Sequence, residues 1–176
     1  MPKPRNEFFL GIDLGGTKVE MVIVDIEGMI VCSDRFDTEA RNGPNVVIDS
    51  LVKRIRLFLS DSGNPVTALG IGVAGQVIKS TGSIFFSPNL FWTQIPLRSL
   101  LNNALGIPVF VINDVRAGML AEHKHGAGSG AKNMVCVFVG TGIGGGVISN
   151  GVIIEGESNS AAELGHTTIV VNGRSC

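Results

Sequence analysis

The stretch Phe8-Phe-Leu-Gly-Ile-Asp-Leu-Gly-Gly-Thr-Lys-Val-Glu-Met-Val-Ile-Val-Asp25 sets two apolar runs on either side of a glycine turn. Runs of this kind, 8–14 and 19–25, rich in β-branched and aromatic residues and bounded by turn residues, read as strands. A third run, Met29 to Phe36, extends them into a three-stranded antiparallel meander. The same plan returns later: Met134 to Val139, then Gly140-Thr-Gly-Ile-Gly-Gly-Gly146, then Val147 to Ser149. Two glycine turns between strand-like runs predict an internal duplication of one hairpin.

Between the two hairpins the period changes. Over 45–60, Ile48, Leu51, Val52, Ile55 and Leu59 recur at helical spacing with Lys53, Arg54 and Arg56 among them, and Pro44 suits a first turn. Ala68 to Ala74 reads as a buried strand. Pro96 to Leu105 reads as a helix stopped by Gly106, followed by the strand Val109 to Ile112 and a helix from Val115 to His125. The order βββαβαβ predicts an α/β fold. A boundary near Arg116 divides it into a first domain, residues 1–116, and the beginning of a second similar one, residues 117–176.

Composition narrows the function classes. With 44% apolar and 16% charged residues the chain can bury a core. A formal charge of -1, with no block of like charge, gives no electrostatic reason to expect nucleic acid or an anionic membrane as partner. Cys32, Cys136 and Cys176 are too few and too far apart for a secreted disulfide scaffold, which points to a reducing cytoplasm. The apolar run near the start reaches Asp13 too soon for a signal segment or a membrane span.

The 24 glycines therefore need a backbone explanation. Glycine turns bring successive N–H groups close to a ligand and form a concave anion site, although a tight hairpin needs glycine on its own account. Asp13, Thr17, Lys18 and Thr141 beside two such turns favour phosphate. Gly11 to Lys18 has P-loop glycine spacing but places Thr17 where the lysine belongs. Gly140, Gly142 and Gly145 fit GxGxxG after a strand, yet Val-Ile-Ser-Asn-Gly follows, which is not the helix of a dinucleotide fold.

Gly11-Ile-Asp-Leu-Gly-Gly-Thr-Lys18, Asn113-Asp114, Gly140-Thr-Gly-Ile-Gly-Gly-Gly146 and Glu163-Leu-Gly-His166, with Ser87-Pro-Asn-Leu-Phe-Trp92 between them, resemble the ROK family of sugar kinases and repressors. The resemblance runs from about Phe8 to Cys176. It implies an actin-like, ribonuclease-H-like fold of two α/β domains, with ATP and sugar held in the cleft between them. Repressors of the family carry a winged helix-turn-helix ahead of the first glycine motif, and about seven residues precede it here. The chain resembles the N-terminal portion of such a protein.

The resemblance makes Asp114 the general base that accepts the proton of the sugar hydroxyl, with Asn113, Glu163 and His166 holding the ring. Asn113 and Asp114 also have helix-cap chemistry, and Asp13 is equally a hairpin turn residue. Gly75, Gln76 and Asn89 are further sugar-side candidates. Asp13, Gly15, Gly16, Thr17, Lys18, Thr141 and Gly142 fall on the ATP side, with Mg2+ near Asp13. His166 and Cys176 stand ten positions apart, the family spacing of a zinc-binding histidine and the first cysteine of its motif. Two ligands do not close a tetrahedral site, so zinc is expected for the complete protein only.

The implied activity is ATP-dependent phosphorylation of a hexose at its 6-hydroxyl. Ser-Pro-Asn-Leu followed by Trp92 is similar to glucokinases of the family, whereas Ala-Ala-Glu-Leu-Gly-His is similar to its N-acylmannosamine kinases. Glucose is the first expectation and a hexosamine such as N-acetylmannosamine the second. The family also implies homodimers and leaves open whether polyphosphate replaces ATP. The rival class is a non-catalytic sugar sensor on the same fold. Residues 1–176 alone are expected to be a weak kinase or none.

Overall fold

A computed structural model describes residues 7–140 and 142–173, and the chain divides between Asp114 and Val115 into two compact units. In the first unit β1 (Phe8–Leu14), β2 (Lys18–Asp25) and β3 (Ile30–Asp37) form the expected antiparallel meander. A helix, α1 (Pro44–Ser62), leads to β4 (Val66–Val73), which joins β1 in parallel. Then β5 (Gln76–Ile78), β6 (Ser83–Ser87) and β7 (Trp92–Ile95) make a small antiparallel sheet of their own. After α2 (Leu97–Leu105), β8 (Val109–Asn113) pairs in parallel with β4, completing the order β3-β2-β1-β4-β8.

Period-two burial decides which side of that sheet carries what. Leu10, Ile12 and Leu14 of β1, Val19, Met21 and Ile23 of β2, and Leu69, Ile71 and Val73 of β4 are all buried in one cluster. Val47, Ile48, Leu51 and Ile55 of α1 and Leu97 and Leu101 of α2 cover that face. Each such side chain contributes on the order of 1.5–3 kcal/mol by leaving water. Residues between the buried ones point to the opposite face. Asp13 is therefore exposed at the end of β1, in register with Glu20 on β2 and Gly72 on β4.

The helix ends follow from backbone chemistry. Pro44 occupies the first turn of α1, where its missing N–H costs nothing. Gly63, at φ 64°, closes α1 with its N–H on the Leu59 carbonyl at 3.3 Å.

In the second unit the helix α3 (Asp114–His125), which begins at the boundary, is followed by β9 (Met134–Val139), β10 (Ile143–Ser149) and β11 (Val152–Ile153), in the order β11-β10-β9. A 3-10 turn spans Leu164–His166. Two expectations need correction. The strand expected at Val147 begins at Ile143, so Gly144 to Gly146 are strand residues and not part of the turn. The order βββαβαβ omits β5 to β7, whose strands of three to five residues are too short for a periodic signal. His123 holds the Ala131 carbonyl through Nε2 at 2.8 Å and so ties down the loop after α3.

Candidate active site

Strand ends and turns of the first unit bring one set of the expected residues together. The Asn113 amide, half-buried at the end of β8, donates to the Gly75 carbonyl at 3.1 Å and to Asp114 Oδ1 at 3.0 Å. One side chain thus fixes a carboxylate and ties β8 to the turn after β4. Ser87, fully buried, donates to the Ala74 carbonyl at 2.5 Å and secures the same turn to β6. A Cβ on Gly75 would stand 2.7 Å from the Phe86 carbonyl and 2.8 Å from Ser87 Cβ. Glycine is needed there for close approach. Gln76 follows, half-buried on β5.

Asp13 belongs to the same locality. Its carboxyl is raised above the usual aspartate range, first by loss of surrounding water, then by the negative charge of Asp114 and of Glu20, with Lys18 opposing. The residue is exposed as a whole, yet the carboxyl is desolvated enough for this to lead. Two carboxylates that feel each other mark a place suited to a cation or to a protonated partner.

The turn after β1 is built for rigidity. Gly15 donates its N–H to the Lys18 carbonyl at 3.0 Å, and its own carbonyl accepts the Thr38 hydroxyl at 2.7 Å. The Thr38 N–H reaches the Thr17 carbonyl at 2.9 Å. Thr38 is buried, and sequence reasoning passed over it because it lies in the connection after β3. A Cβ on Gly16 would fall 2.5 Å from the Asn89 carbonyl, so Asn89 rides directly on the turn. Lys18 is engaged by Glu20, Nζ to Oε1 at 2.6 Å, which lowers the Glu20 pKa. A concavity of about 500 Å3 beside this turn is lined by Gly16, Thr17, Glu39, Arg41 and Phe91 among others; neither Asp13 nor Asp114 is in its wall.

In the second unit the Gly140 N–H bonds the Gly142 carbonyl at 2.9 Å, and a Cβ on either glycine would meet open space. These two leave backbone accessible to a ligand. Thr141 lies outside the described residues. Gly144 and Gly146 serve helix-on-strand packing instead, since side chains there would strike Val115 and Met119 of α3. Gly145, on the opposite face of β10, lies against Leu164 and the Ala162 carbonyl. Glu163 and His166 bracket the 3-10 turn, Glu163 exposed, with the His166 N–H on the Glu163 carbonyl at 3.1 Å.

Cys176 lies outside the described residues, and no group of three or more His, Cys, Asp or Glu suited to a metal occurs among those described. Nor is any helix among the described residues long and apolar enough to cross a membrane. Arg116 went unnoticed except as a boundary marker, although it is 5% exposed and bonded to the loop before Glu163. A single buried arginine leaves no periodic signal.

The model of the ROK family matches residues 9–176. A glucokinase of Streptomyces coelicolor is 35% identical over 167 residues, covering 95% of this chain and 51% of the relative. The xylose repressor of Bacillus subtilis is 34% identical over 171 residues, covering 96% and 44%. A crystal structure of a ROK family glucokinase from Streptomyces griseus in complex with glucose and AMPPNP superposes with a TM-score of 0.84 at 34% identity, over 93% of this chain and 51% of that one. The chain spans about half the length of these relatives. With that match and this topology, the chain belongs to the ROK family and has its actin-like ATPase fold.

Proposed function

We propose that the protein transfers the γ-phosphoryl group of ATP to the 6-hydroxyl of a hexose, glucose first and N-acetylmannosamine or another hexosamine second. The observation that carries this reading is the Asp13 and Asp114 pair, with Asn113 orienting Asp114 and anchored on Gly75. Asp114 accepts the hydroxyl proton, the sugar oxygen forms a bond to phosphorus, and the bond to the ADP oxygen breaks. Asn113, Glu163 and His166 hold the ring, helped by Gly75, Gln76 and Asn89. Gly15, Gly16, Thr17, Lys18, Thr141 and Gly142 attend the phosphates. Positioning and electrostatics supply most of such catalysis.

A divalent cation fits the residues present, because Asp13 is an oxygen donor beside a second carboxylate whose repulsion a cation relieves. Asp13 would hold Mg2+, directly or through water, and the ion would supply charge neutralisation on the donor phosphates. The resemblance to a kinase with glucose and AMPPNP bound supports the choice of ATP.

ADP release by the full-length protein across glucose, mannose, fructose, N-acetylglucosamine and N-acetylmannosamine tests the reading. Turnover on one sugar is expected, and Asp114→Asn is expected to lower kcat by about 100-fold or more while sugar binding stays measurable. Near-normal turnover in that variant would sink the assignment. The xylose repressor relative favours one second reading, a sugar sensor without catalysis. Sugar binding with no nucleotide binding would select it. Residues 1–176 alone should release ADP slowly or not at all.

A further inference from the structure

The loop that leaves β11 and reaches Glu163 has little regular structure, yet it is held at a defined point. Gly156, Asn159 and Ala162 all take left-handed backbone, at φ 72°, 56° and 66°. Gly156 adopts this backbone freely and Asn159 tolerates it, but at Ala162 it is costly and persists only where the surroundings enforce it. Two features do so. At its C-terminal end the Ala162 carbonyl and Leu164 press on Gly145, and Gly165 lies against the Ile143 carbonyl, contacts with no room for a side chain. Across its body the Arg116 guanidinium bonds the Asn159 side-chain oxygen through Nη1, and the Glu155 and Ala161 carbonyls through Nη2 at 3.4 and 3.3 Å.

Arg116 is the third residue of α3 and is 5% exposed. A buried guanidinium stays charged and presents a rigid fork of donors, which a lysine cannot copy. The Ala161 N–H adds a bond to the Glu155 carbonyl at 3.0 Å, closing the loop on the same acceptor that Arg116 holds. The packed helix α3 therefore reaches, through one side chain, three points of the loop that ends at Glu163.

We propose that Arg116 is a positioning residue for the sugar: by clamping 155–161 it sets where the Glu163 and His166 side chains are presented. The proposal rests on the reading that these two residues bind the sugar. It confers no chemistry on Arg116 itself, and it assigns the Asn159 amide as the acceptor that completes the clamp.

The test uses the full-length protein, calorimetric binding of glucose and of N-acetylmannosamine, and steady-state kinetics. Arg116→Ala should weaken binding of the preferred sugar and raise its KM at least tenfold, with the KM for ATP within twofold and the melting transition retained. Arg116→Lys should recover only part of the loss. Asn159→Gly keeps the left-handed backbone while removing the acceptor, so it should weaken sugar binding severalfold, and the double variant should be no worse than Arg116→Ala alone. If Arg116→Ala does not fold, Asn159→Gly against Asn159→Asp carries the same comparison, with the aspartate expected to bind sugar like the parent.

Sugar affinity within twofold of the parent in both Arg116→Lys and Asn159→Gly would overturn the proposal. So would a parallel rise in the KM for sugar and for ATP, the mark of a merely structural role. Glu163→Gln and His166→Ala serve as the reference. Unchanged sugar affinity in these two would show that the reading of the ring contacts had failed, and the role of Arg116 would fall with it.

Discussion

Asp13 carries its charge against its surroundings. Burial of its carboxyl and the nearby Asp114 and Glu20 charges raise its pKa above the 3.8 of a free side chain. Between 3.8 and the raised value the folded state binds more protons than the unfolded one, so stability falls as pH rises through that window. Asp13→Asn should therefore melt higher than the parent at pH 7, and the gain should shrink as the pH approaches 4. Thermal melts of both proteins across that range check it, and an equal or lower melting temperature at pH 7 would contradict it. At this scale Asp13, Asn113 and Asp114 were legible because each sits at a strand end beside a distinctive neighbour. Arg116, Ser87 and Thr38 were not, since their importance comes from burial and from partners as far off in sequence as Asn159 and Gly15.

Among the elements, β10 departs most from what its sequence suggests. Its glycines read as a turn because glycine is rare inside strands, but here they let α3 and the Leu164–His166 turn approach the backbone. Gly145→Ala should cost about 1–3 kcal/mol of stability through overpacking against Leu164 and the Ala162 carbonyl. Chemical denaturation would measure that loss, and a neutral result would mean that the turn yields easily. The long elements follow their sequence signals closely: α1 is bounded by Pro44 and Gly63, and β1 and β9 match their expected limits. The sheet β5 to β7 escaped notice because a strand of three residues shows no alternation. It nonetheless sets Ser87 against the turn at Gly75 and Asn89 against the turn at Gly16.

At the scale of the whole molecule, each unit leaves apolar strand surface uncovered. Val135, Val137 and Val139 alternate along β9 at 62%, 57% and 80% exposure, and Phe110 on β8 is 62% exposed. Apolar surface of this kind promotes association. Residues 1–176 expressed alone should bind a hydrophobic dye and sediment as concentration-dependent aggregates, and replacing Val135 and Val137 by lysine should reduce both. A monodisperse monomer without dye binding would refute this. The α/β class and the two hairpins were legible from the glycine motifs, whereas the uncovered faces follow from what packs on each strand, which one chain's pattern does not disclose.

The run Gly144-Gly-Gly146 has a further consequence at the level of the gene. A glycine codon keeps its meaning only when its third base changes, and every change at the first or second base installs a side chain or a stop. Here each added side chain would meet Val115, Leu164 or Met119. The stretch of DNA encoding the middle of β10 should therefore accept silent third-base drift and little else, which makes it an unusually dense target for loss-of-function point mutations.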